Sequence, residues 1–88
     1  MIRHSDITDV LLHHEIRRKE INFGGNIKGR IYGRLDCPSG KRILKKNRVF
    51  FASAPEAVKK GYRPCAHCMR RAYLIWKTNQ TRNGSVNP

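Results

Sequence analysis

The sequence has 88 residues, three cysteines and a formal charge of +13, from 19 Lys and Arg against six Asp and Glu. That length allows one small domain whose hydrophobic core is marginal unless a metal or disulfide staples it, and three cysteines cannot all pair within one chain. No apolar run reads as a signal peptide or a membrane-spanning helix, so the expectation is a cytoplasmic monomer with no membrane partner and reduced thiols free to bind metal.

The charge is unevenly placed. In residues 1–24, Arg3, Arg17, Arg18 and Lys19 are matched by Asp6, Asp9, Glu15 and Glu20. In residues 25–88 only Asp36 and Glu56 oppose the remaining cations, so all the excess lies on the part that holds the cysteines. A chain this basic points to a polyanion, and nucleic acid is the expected partner.

Taken in order, Ser5 to Ile21 reads as a helix, with Ile7, Val10, Leu11, His14 and Ile21 at helical spacing and Ser5 or Asp6 as cap. It carries no excess charge and reads as a packing element. Phe23-Gly24-Gly25-Asn26 predicts a turn. Ile27 to Leu35 predicts a strand, with Lys28, Arg30, Tyr32 and Arg34 on one face. That face suits a phosphate backbone or simply solvent. Cys37-Pro38-Ser39-Gly40 is a turn, and its backbone with Lys41 and Arg42 could cradle a phosphate. Lys45, Lys46 and Arg48 continue the basic run, and Val49-Phe50-Phe51 predicts a short buried strand.

Ser53-Ala54-Pro55-Glu56 is a capping box that predicts a helix over 54–60, ended by Gly61. Pro64 then favours a turn at Cys65-Ala66-His67-Cys68, and Met69 to Lys77 predicts the last helix. From Thr78 to Pro88 there is no hydrophobic periodicity, which reads as a disordered tail.

The Cys-x-x-Cys pair has three readings. A redox pair needs a βαβ context that this pattern does not offer, and a disulfide would leave Cys37 over. Metal binding suits thiols at a turn into a helix N-terminus, which favours the thiolate that zinc takes. One Zn2+ on Cys37, Cys65 and Cys68 is expected. Structural zinc is almost always four-coordinate, so a fourth ligand is needed: His67 or His4 before His13, His14, or water or an outside ligand. Asp36 would project away from Cys37 in an extended segment.

Cys37-Pro38, Asn47-Arg-Val-Phe-Phe-Ala-Ser53, Glu56-Ala57 and Gly61-Tyr-Arg-Pro-Cys-Ala-His-Cys68 together resemble the metal-binding domain at the N-terminus of the Ada DNA-repair protein, over roughly residues 32–70. The resemblance implies one zinc on four cysteines and an irreversible methyl transfer from DNA methylphosphotriesters to one zinc-bound cysteine. It implies, too, that methylation strengthens DNA binding and switches on transcription. Cys65 and Cys68 fall on the family's closing ligand pair, and Cys37 falls on the second cysteine of the opening pair. The methyl acceptor lies four residues earlier in the family, where this sequence has Gly33. A second alignment puts Cys37 on the acceptor and Lys41 where the other cysteine belongs.

The fold expected is therefore a small α+β zinc-stapled domain with short antiparallel strands and flanking N-terminal, central and C-terminal helices. Residues 1–24 would pack on a zinc domain at 25–77, and 78–88 would be tail. The function expected is a nucleic-acid-binding module, DNA before RNA, linked to DNA repair or its regulation. Its contacts would come from Lys28, Arg30, Arg34, Lys41, Arg42, Lys45, Lys46, Arg48, Arg63, Arg70 and Arg71. The alternatives are a single-turnover methyl acceptor using Cys37 and a metal-dependent protein-interaction module.

Overall fold

The computed structural model describes residues 1–86, with side chains described as far as Asn79. The chain forms β1 (Ile2–Arg3), α1 (Asp9–Arg17), β2 (Phe23–Asn26), β3 (Ile31–Arg34), β4 (Arg48–Phe51), α2 (Ala54–Lys59), β5 (Arg63–Pro64) and α3 (Arg70–Val86). Short 3-10 turns at His4–Asp6, Gly40–Arg42 and Lys45–Asn47 link them. The five strands make one sheet in the order β1-β4-β2-β3-β5, antiparallel except for the β3–β5 pair. The α+β class expected from the sequence is what the chain adopts.

Strand alternation on β4 builds a core on each side of the sheet. Val49 and Phe51 face one way and pack with Tyr32, Ala57 and Tyr62, beneath α2. Phe50 faces the other way and packs with Ile7, Leu12 and Ile21, beneath α1. The run Val49-Phe50-Phe51 is buried throughout because both faces of its strand are covered.

Several local expectations are corrected. Phe23–Asn26 is not a turn but the central strand, paired with β4 on one side and β3 on the other. Gly25 serves close packing: a Cβ on it would lie 3.0 Å from both the Ile31 carbonyl and the Phe51 ring. The turn comes later, at 27–30, where Asn26 Oδ1 accepts from the Lys28 N–H and Arg30 takes a φ of 52°. Tyr32 points into the core at 3 % exposure, so Lys28, Arg30 and Arg34 do not share a surface with it.

α1 begins at Asp9, not near Ser5, because Thr8 is the cap and its Oγ1 accepts from the Leu11 N–H at 3.2 Å. The buried face is Leu12 with half-buried Ile16; Val10 is 82 % exposed. The boundary drawn at residue 24 falls inside β2, and β1 is itself a strand of the sheet, so the N-terminal stretch is part of the same fold. α3 continues past Lys77 to Val86, through most of the segment read as a tail; Thr78 Oγ1 donates to the Leu74 carbonyl within it. Residues 87–88 lie outside the described residues.

α2 forms as its capping sequence predicts: Ser53 Oγ accepts from the Glu56 N–H, and Gly61 takes a φ of 88° after the helix. Glu56 Oε1 accepts from Ala52 N–H rather than from the cap residue, and its other oxygen pairs with the Met1 ammonium.

Candidate metal centre

The separation of 28 positions between Cys37 and Cys65 is closed by backbone hydrogen bonds along β3 and β5. The Arg63 N–H donates to the Arg30 carbonyl, and the Cys65 N–H donates to the Tyr32 carbonyl, each at 2.8 Å. Cys65 is thereby fixed beside the end of β3. Cys37 lies just beyond that end, its N–H donating to the Arg34 carbonyl at 3.2 Å. Cys68 follows one turn after Cys65, and the Met69 N–H closes that turn on the Cys65 carbonyl at 3.0 Å.

The three sulfurs meet. Their Sγ atoms lie within 4.8 Å of one another, with Cys37 and Cys65 at 4.0 Å. None of them is in a disulfide. With Zn–S bonds of 2.3 Å, a tetrahedral site has sulfurs roughly 3.8 Å apart, so these thiols fit a zinc ion with only small adjustments. Backbone N–H groups reinforce the fit: Arg34 donates to Cys68 Sγ at 3.3 Å and His67 donates to Cys65 Sγ at 3.4 Å. Such bonds favour a charged sulfur.

The protonation balance follows from these contacts. Burial pushes the Cys37 thiol up, but backbone N–H groups of Gly40 and Ser39, with the Cys68 and Cys65 thiols, more than offset it, and its pKa is lowered overall. Cys68 is pushed up to about 11, chiefly by burial, with the neighbouring thiols adding to the rise against the Arg34 N–H. Three crowded thiols cannot share negative charge without a cation. A bound metal ion supplies that charge and displaces the protons.

Neither histidine named as a fourth ligand joins the sulfurs; among the described residues the cluster holds cysteines alone. His67 is exposed at the turn and lines the space beside Cys37 and Cys65 without joining the sulfurs. His4 is buried on the far core, its ring edge-on to Phe50 at 5.3 Å and its Nε2 3.7 Å from Asp9, with both nitrogens lacking a hydrogen-bond partner. His13 and His14 are exposed on α1.

Gly33 touches the cluster instead. A Cβ built on it would lie 2.8 Å from Cys68 Sγ and 3.0 Å from Cys65 Cβ. Residue 33 therefore sits where a side chain would enter the sulfur cluster, and glycine enters nothing. The Cys37 turn also differs from its sequence reading. The Gly40 and Ser39 N–H groups lie near enough to the Cys37 sulfur to favour its charged form. The signal that could have found them is that Cys37-Pro38-Ser39-Gly40 folds around its own cysteine, as the turn at Cys65 does.

The sequence matches the model of the metal binding domain of Ada over residues 8–70. The chain belongs to this family. No match was found among curated proteins or among solved structures. The Ada domain's zinc and the clustered thiols together support one Zn2+ for this chain.

Of the cations named as nucleic-acid contacts, Lys28, Arg30, Arg34, Lys41, Arg42, Lys45, Lys46, Arg70 and Arg71 are exposed. Arg48 and Arg63 are half-buried and committed internally. Arg48 donates to the carbonyls of Gly40 at 2.6 Å and Ile43 at 3.1 Å, holding the turn beside Cys37. Arg63 donates to the Pro64 carbonyl and lies over the Tyr73 and Trp76 rings, clamping α3 to β5. Arg34 is paired with Asp36 at 2.9 Å. No described helix is long and apolar enough to cross a membrane.

Proposed function

We propose that this chain is a zinc-stapled, nucleic-acid-binding module of the Ada type that serves DNA repair or its regulation without accepting a methyl group itself. Cys37, Cys65 and Cys68 hold the zinc, which ties β3, β5 and the start of α3 together. The exposed cations of the turns at 27–30 and 40–46, with Arg70 and Arg71, meet phosphates.

The observation that carries this reading is Gly33. In the resembled family the acceptor cysteine stands at this position, and here the position abuts the sulfurs of Cys65 and Cys68 without a nucleophile. Cys37, the other candidate acceptor, is 3 % exposed and lies beneath its own turn. Its lowered pKa is the feature that favours a methyl-acceptor reading, but the same N–H contacts are those of a structural ligand.

Binding of phosphates by cations releases counterions, so affinity should fall linearly on a log–log salt plot. Titration of the zinc-loaded protein with duplex DNA at several salt concentrations tests the module. The expected result is a steep negative slope that flattens by about one unit when a contacting cation is neutralised. Affinity independent of salt, or absent for every polynucleotide, contradicts the reading.

A further inference from the structure

A cavity of about 350 Å³ opens beside the thiol cluster. Gly33, Cys37 and Cys65 form one wall of it, while Cys68 is not among its lining residues. The open space therefore adjoins the Cys37 and Cys65 side of the cluster, whereas a Cβ at position 33 would press on Cys68 Sγ. No His, Asp or Glu among the described residues reaches the cluster to take the fourth place. A zinc site with three protein ligands keeps one position for an outside ligand.

The rest of the cavity indicates what that ligand is. Its remaining walls include Arg34, Lys41, Arg48, Arg63 and His67, with Leu35, Ile43 and Phe50 supplying apolar surface, and no carboxylate of the described residues lines it; His67 lines it without joining the sulfur cluster. Arg34 is paired with Asp36, but Lys41 makes no ion pair among the described residues. Softness matches sulfur to a site already made of sulfur. A fourth thiolate would bring the centre to a net charge of −2, which the cationic wall offsets.

We propose that this cavity is a binding site for a small thiol bearing a carboxylate, whose sulfur would take the fourth coordination place of the metal from the side of Cys37 and Cys65. The thiol loses its proton to solvent as its sulfur binds the metal, and its carboxylate meets Lys41. The volume falls within the ordinary range for small-molecule sites. This inference rests on the zinc reading of the three cysteines and adds a ligand to it.

The test uses the full chain loaded with Co2+, whose absorption reports its sulfur ligands. Metal uptake is measured first, by native mass. Reduced glutathione is then titrated in, with inorganic phosphate and chloride as comparison anions. The expected result is a saturable rise in the sulfur-to-cobalt band with glutathione alone. Lys41→Glu should weaken that binding about tenfold while leaving metal uptake intact. Gly33→Cys, which supplies the fourth sulfur within the chain, should show the band without glutathione and no further response; if crowding prevents its folding, the Lys41→Glu comparison stands by itself. A protein that takes up no metal overturns the zinc reading and this inference with it. A cobalt-loaded protein that ignores glutathione, responds equally to phosphate or chloride, or binds unchanged after Lys41→Glu overturns this inference alone.

Discussion

Cys65 and Cys68 were legible from their spacing and from the turn that Pro64 introduces. Cys37 was named with them as the third zinc ligand, and the three sulfurs do meet; what no local pattern announced is the β3–β5 pairing that brings them together. His4 shows the opposite failure. A histidine near the chain start reads as a free ligand, yet it is buried against Phe50 with Arg48 and Lys45 nearby. Burial, then these two cations, lowers its pKa, with Asp9 opposing. A lowered folded pKa means that the folded state holds the proton less tightly than the unfolded chain does. Stability is then full above the ordinary histidine range and declines as pH falls through it. His4→Phe should leave zinc stoichiometry at one and flatten this acid decline in thermal melts between pH 5 and pH 7, a window set by the ordinary histidine pKa of about 6.5. Loss of zinc in that variant would make His4 a ligand after all. Cys68→Ser should instead abolish tight zinc binding and loosen the fold, read by native mass and far-UV circular dichroism, because a structural zinc supplies folding free energy directly.

α2 was read correctly because its signals are local: a Ser53 cap, a Pro at the helix start, Glu56 three residues on and Gly61 past the end. Ser53→Ala should cost about 1 kcal/mol in denaturant unfolding; an unchanged midpoint would show that the cap is dispensable. β2 was misread for an equally physical reason. Two adjacent glycines usually mark a turn, but here Gly25 lets a central strand lie against Val49, Phe51 and the Ile31 backbone. Gly25→Ala should destabilise by roughly 1–3 kcal/mol through overpacking, whereas a true turn glycine with negative φ would tolerate alanine. The exposure of Val10 and burial of Leu12 likewise reflect Thr8, which sets where α1 starts and so which side faces Phe50.

The molecule as a whole is a five-stranded sheet with a small core on each face and the thiol cluster at the end of β3, where β5 ends and the chain turns into α3. Neither core is large, which is why a metal at that junction matters: it joins elements that few apolar contacts hold. The overall α+β class was legible from composition and motif order, but the sheet order was not, since β1 and β5 are two residues each. The positive charge spreads over turns rather than along one strand face, so the proposed nucleic-acid surface would belong to the assembled fold. Removing the zinc with a chelator should therefore weaken DNA binding as well as stability, and zinc should restore both; binding untouched by the chelator would separate the charge from the fold.

The most direct measurement is the intact mass of the zinc-loaded protein, native and denatured, before and after incubation with DNA carrying methylphosphotriesters. The account predicts one zinc, a native complex with the DNA, and a denatured mass that does not change. A gain of one methyl group mapping to Cys37 would contradict it, making the chain a methyl acceptor despite the glycine at position 33.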